Sequence, residues 1–124
     1  MQTYSYRTET DIVKDEGEAR YSRDDETLAS GSGIVKIGTV LGKVTTTGKF
    51  KPFAPGATDG TENVAAIILE TADATSADRT VVTLKRRAQV VVQNLVWPDA
   101  ITAPQKASAI AALEALGIVT RTGV

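Results

Sequence analysis

Any chemistry in this chain has to come from carboxylates, lysines and arginines, because its 124 residues include neither histidine nor cysteine. Without imidazole, the commonest general base near neutral pH and the commonest zinc ligand are missing. Without a thiol, disulfides, cysteine nucleophiles and thiolate metal sites are excluded. Three charged groupings remain. Lys85-Arg86-Arg87 is a basic cluster of the kind that holds phosphate or nucleic acid. Glu70, Asp73 and Asp78 fall in one loop and offer oxygen ligands to a hard cation such as calcium. Asp24-Asp25-Glu26 is an acidic run suited to a basic patch on a partner.

Each grouping also has a plainer reading. The basic cluster has no aromatic neighbours on which bases could stack, and it sits in a chain of formal net charge -1. An exposed strand turn or a salt-bridging interface is the stronger expectation. The loop carboxylates match no EF-hand spacing, so a solvated loop is expected. Gly31-Ser32-Gly33 and the Gly38 to Gly42 stretch lack the Walker spacing that aims backbone N–H groups at phosphate. No pair of carboxylates stands out for acid–base catalysis. These residues point to a protein that is not an enzyme and uses no cofactor and no metal. Trp97-Pro98 holds the single tryptophan, which suits a core anchor or a subunit-interface anchor equally well.

The elements that would position these groups follow from pattern. Residues 1–30 carry four basic and eight acidic side chains, whereas residues 31–124 carry ten basic and seven acidic ones. Residues 1–27 read as an extended arm, too polar to bury on their own. Within it Tyr4, Tyr6 and Thr8 alternate with polar residues at the period of a short strand, and Ile12-Val13 is an apolar pair amid charge. Leu28 to Gly33 reads as a flexible Gly/Ser hinge that closes the arm at residue 30, with the packed domain over 31–124.

That domain reads as mainly β. Short strands broken by glycine are expected over residues 34–53, with Pro52 favouring an edge. Asn63 to Leu69 is a nearly continuous apolar run, which fits a strand covered on both faces; in so small a domain the second cover is expected from a neighbouring subunit. Residues 54–62 read as a loop with a tight turn at Asp59-Gly60, where both residue types tolerate positive φ, and residues 70–79 read as a second loop. Thr80 to Trp97 reads as a long strand or hairpin, with Val82, Leu84, Ala88, Val90 and Val92 on the apolar side and a bend near Arg86-Arg87. A helix is predicted over 103–116. Thr102 and Gln105 would form a capping box, Pro104 lies in the first turn, and Gly117 is placed to stop it. Ala109, Ile110, Leu113 and Leu116 would face the core, and Ile118-Val119 would add a strand. No run reaches 18 apolar residues, so no membrane span is expected.

Several pieces then fall into a known order. Gly38-Thr-Val-Leu-Gly-Lys43, Thr47-Gly-Lys-Phe-Lys-Pro-Phe53, Ala57-Thr-Asp-Gly-Thr61, Ala66-Ile-Ile-Leu69, Asn94-Leu-Val-Trp-Pro98 and Gly117-Ile-Val119 together resemble the head decoration proteins of lambdoid phages. The resemblance covers roughly residues 28–121. It implies a small β-clip-like or barrel-like domain with one C-terminal helix and an extended N-terminal arm. It further implies a homotrimer that binds the major capsid protein on the outside of an expanded head and reinforces it against DNA pressure. The protein would then reside on the virion exterior, after assembly in the host cytoplasm, with no direct contact to nucleic acid or membrane.

On that reading Tyr4, Tyr6, Thr8, Ile12 and Val13 are the arm's expected shell contacts, and Val64, Ala66, Ile68 and Trp97 are expected in core or trimer packing. Ordering eight arm residues costs on the order of 10 kcal/mol of backbone entropy, which a shell strand edge would have to offset. The competing expectation is a small β-barrel module that binds nucleic acid or carbohydrate through Lys85-Arg86-Arg87.

Overall fold

The apolar run after Asn63 becomes strand β6 (Val64–Ile68), and the fold is arranged around its two faces. The computed structural model describes residues 12–16 and 22–122. Ahead of β6 come β1 (Val13–Glu16), β2 (Arg23–Leu28), β3 (Gly33–Val35), β4 (Val40–Lys43) and β5 (Phe50–Pro52). After it come β7 (Ala72–Ala74), β8 (Arg79–Leu84), β9 (Ala88–Val91), helix α1 (Ala103–Ala115) and β10 (Ile118–Arg121). Strands β2-β5-β4-β6-β8 close into a barrel, β3 pairs with β7, and β1-β9-β10 form a three-stranded sheet. The expectation of a mainly β domain with a barrel and a C-terminal helix therefore holds.

Alternation along the strands divides the core in two. Leu28, Leu41, Phe50, Ala66, Ile68 and Val81 fill the barrel interior. Ile67, Leu69 and Leu84 face outward into a second cluster with Ile12, Val90, Leu113 and Ile118. β6 is thus covered on both faces by its own chain: the expected neighbouring subunit is replaced by α1 and the β1-β9-β10 sheet. Opposite Leu41-Gly42 the register slips from Ala66 to Val64, and this bulge turns Val64 out of the barrel into the second cluster.

Two boundaries differ from the sequence reading. β2 pairs with β8 along its full length, from Arg23 opposite Leu84 to Leu28 opposite Arg79, so residues 23–28 are a barrel stave and not arm or hinge. Polar β2 is held there because Val81 and Leu84 of β8 supply apolar burial, while Leu28 alone carries β2 into the core. Upstream, β1 runs antiparallel to β9, with Val13 opposite Val90. The 70–79 loop also contains a strand, β7, antiparallel to β3.

The long strand or hairpin expected over 80–97 bends where the sequence placed the bend, at Arg87, whose φ of 51° lies in the left-handed region. Ser22 fastens this turn: its hydroxyl donates to the Arg87 carbonyl at 2.8 Å, and its own carbonyl accepts from the Lys85 N–H at 2.8 Å. β8 then stays in the barrel while β9 leaves for the outer sheet. Val81 and Thr83 are as buried as Leu84, so the expected parity fails where both faces are covered. α1 begins as predicted. The Gln105 N–H donates to Thr102 Oγ1 at 3.3 Å, and the Thr102 N–H donates to Gln105 Oε1 at 2.9 Å. Ala109 and Leu113 are buried, but Leu116 lies at the C-cap and is exposed, because the chain turns at Gly117 toward β10.

Candidate functional site

Most of the charged groupings are spent on the fold. Arg86 donates to Asp24 Oδ2 at 2.5 Å, and Lys85 Nζ lies 3.5 Å from Asp24 Oδ2 and 3.7 Å from Glu26 Oε1. Lys85 and Arg86 of the basic cluster and Asp24 and Glu26 of the acidic run are therefore partners beside the β2–β8 pair, while Arg87 and Asp25 stay exposed. The Arg86 hydrogen bond and the nearby charges of Arg86 and Lys85 hold the Asp24 carboxyl below its ordinary value. Lys85 Nζ also sits 5.8 Å from the centre of the Phe50 ring, over the barrel interior.

The three loop carboxylates do not converge. Glu70 accepts from the Val82 N–H at 2.8 Å, Asp73 from the N–H and hydroxyl of Thr75, and Asp78 from the Ser30 N–H at 2.8 Å with an ion pair to Lys49 at 2.7 Å. Among the described residues no three carboxylates come together as a metal cage.

The Ala57-Thr-Asp-Gly-Thr61 stretch is a structural lock. Asp59 Oδ1 accepts from the Thr61 hydroxyl at 2.6 Å and the Thr61 N–H at 3.1 Å, and the Asp59 carbonyl accepts from the Thr45 N–H at 2.8 Å. Those bonds to Thr61 hold the Asp59 carboxyl below its ordinary value. Gly60 has φ +108°, and a β-carbon there would lie 2.4 Å from the Lys43 carbonyl oxygen. Only glycine lets this turn press against β4.

The Asn94-Leu-Val-Trp-Pro98 stretch is laid beside the segment that enters β4. The Val96 N–H donates to the Gly38 carbonyl at 2.8 Å, and the Val40 N–H donates to the Val96 carbonyl at 3.1 Å. Leu95 is buried by this pairing, and Trp97 is left half-buried, edge-on to Phe53 with ring centres 6.5 Å apart. Lys106 Nζ stands 5.6 Å from the Trp97 ring centre. The indole Nε1–H is shielded from solvent and has no acceptor among the described residues. Trp97 lines an open groove of about 430 Å³ with Ile34, Lys36, Phe53, Pro98 and Asp99. Ile34, on β3, is 67% exposed.

The predicted contact residues separate accordingly. Tyr4, Tyr6 and Thr8 lie outside the described residues. Ile12 is fully buried in the outer core and Val13 packs against that core, so neither is the free arm residue that was expected. The cause is the open side of β9, which offers both a strand partner and an apolar seat. Ala66 and Ile68 line the barrel interior and Val64 the outer cluster, which makes all three core residues. Trp97 borders both core and surface. Ile34 and Phe53 were missed as groove residues. Ile34 carried a faint signal, an apolar side chain directly after the Gly/Ser hinge.

No curated protein matches the chain. A family model for the bacteriophage lambda head decoration protein D matches residues 2–118, which extends the resemblance back through the N-terminal segment. With nearly the whole length matched, and with that family's stretches forming the Asp59–Thr61 lock and the Trp97 groove, the chain belongs to the bacteriophage lambda head decoration protein D family.

Proposed function

We propose that this protein binds the outer surface of an expanded phage head as a homotrimer, in contact with the major capsid protein, and stabilises the shell against the pressure of packaged DNA. The observation that carries this reading is the family match over residues 2–118. The family is one of structural capsid proteins and not of enzymes. Tyr4, Tyr6 and Thr8 are the proposed shell contacts. They precede the point where Ile12 anchors the chain, so the segment carrying them starts from a fixed place on the outer sheet. An extended segment of alternating side chains gains main-chain hydrogen bonds at a strand edge on a partner, and three such segments on one trimer bind with avidity. The rival binding-module reading loses its support, because Lys85 and Arg86 face Asp24 and Glu26.

The test is co-sedimentation with expanded, undecorated shells, comparing the full chain with one lacking residues 1–10. Saturable binding that is lost on truncation is expected. Equal binding by both proteins would move the contact to the β domain, and no binding by the full chain would overturn the decoration role.

A further inference from the structure

We propose that the groove between Ile34 and Trp97 is the surface through which copies of this chain meet. The proposal rests on the decoration reading for the trimeric state, and it names the contact. Large apolar side chains that stand in solvent are few: among the described residues only Ile34 and Leu116 are exposed. Of the two, Ile34 borders a groove, and the groove is floored by Phe53 and walled by Trp97 and Pro98. Ile34 is not a singly exposed side chain but continues the apolar lining formed by Phe53, Trp97 and Pro98, and a half-buried tryptophan in such a groove is a typical interface anchor.

The rim says which partner fits. Lys36 and Asp99 both line the groove, both are exposed, and neither is ion-paired among the described residues. A partner surface of one sign would oppose one of these charges. A second copy carries both, so a rotation that brings Lys36 of one chain near Asp99 of the next satisfies the two together. Around a three-fold axis, one such contact repeats to closure and leaves no rim charge unmatched.

Because the chain has no cysteine, Lys36→Cys and Asp99→Cys can be made separately, mixed and oxidised, both as concentrated free protein and on shells. A covalent dimer from the mixture, much stronger than from either variant alone, is expected. Adding Ile34→Glu to both proteins should lower its yield about tenfold or more, since the new carboxylate would be buried without a partner. Leu116→Glu should leave the yield unchanged, and far-UV circular dichroism verifies that each variant is folded. No mixed dimer in either setting, or a yield indifferent to Ile34→Glu, overturns the proposal. Shell binding by the parent chain without mixed dimers would overturn the groove alone. Mixed dimers in free protein that binds no shells would support the groove and overturn the decoration reading.

Discussion

Ile12 reaches the place where Gly38 would carry a side chain: a β-carbon built on Gly38 lies 2.8 Å from Ile12 Cδ1. The isoleucine is fully buried, and through it the polar N-terminal stretch is pinned to the domain. Ile12→Ala should therefore lower stability by about 2–4 kcal/mol, from lost burial and the cavity left behind. Gly38→Ala should also destabilise, because its φ of +90° and the Asn94 carbonyl at 2.8 Å leave no room for a methyl group. Urea denaturation measures both. A cost below about 1 kcal/mol for Ile12→Ala would mean that β1 is not anchored as described.

Two glycines let the 59–61 turn and the β4 segment press together. A β-carbon on Gly42 would lie 2.5 Å from Thr61 Cα, and one on Gly60 would meet Lys43 and Thr45. Either glycine replaced by alanine should push the 59–61 turn off β4 and cost more than about 1 kcal/mol. The Thr45 amide, which donates to Asp59, should then lose hydrogen-exchange protection before the rest of the barrel.

Acid should weaken the fold in a defined window. The carboxyls of Asp24, Asp59, Asp73 and Asp78 are all held below the ordinary 3.8, chiefly by hydrogen bonds from Arg86, Thr61, Thr75 and Lys49 respectively. A value lowered by folding means that the stabilisation is complete above 3.8 and is lost as pH falls through the lower folded-state values. The urea midpoint should stay flat near neutrality and drop below about pH 4. Asp59→Asn should make that drop shallower, by a small amount because the group is exposed.

Trp97 should tolerate a change that most tryptophans do not. Its indole N–H gives up solvent without gaining an acceptor among the described residues, whereas its edge contact to Phe53 is apolar. Trp97→Phe removes the orphaned donor and keeps an aromatic ring, so its stability should fall within about 1 kcal/mol of the parent chain. Trp97→Ala should cost about 3 kcal/mol. Thermal or urea unfolding separates the two, and an equal loss in both variants would show that the indole N–H has a partner.

The place at which the N-terminus is cut should decide whether the protein folds. Removing residues 1–10 leaves Ile12 and every described strand. Removing residues 1–27 deletes β1 and Arg23–Thr27 of β2, which opens the barrel along β8. The shorter deletion should retain a dispersed amide NMR spectrum and the longer one should lose it.

Local chemistry was readable from the sequence; long-range partnership was not. The Thr102–Gln105 cap, the Gly117 stop and the Asp59-Gly60 turn were all visible, because each depends on residues a few positions apart. Arg23-Asp-Asp-Glu-Thr27 looked like solvated arm because nothing nearby could bury it; its partner β8 lies more than fifty residues on. Ile12 likewise had no visible seat until Gly38 and β9 came beside it. The same distance hid the neutralisation of Lys85 and Arg86 by Asp24 and Glu26, which turned a candidate anion site into a brace. Trp97 was legible as an anchor, but Ile34, the other end of its groove, was not.

β9 has one neighbour on each side, β1 antiparallel and β10 parallel, with Val13 opposite Val90 and Arg121 opposite Val91. The described chain therefore enters and leaves at the same end of one strand, two strand spacings or about 10 Å apart. A polypeptide joined directly before Ile12 and one joined directly after Arg121 would start from the same pole of the described domain and compete for the same space. With residues 1–11 removed, positions 12 and 122 could also be bridged by a few residues into a ring, and that ring reopened at the surface turn around Gly56, with every described strand pairing kept.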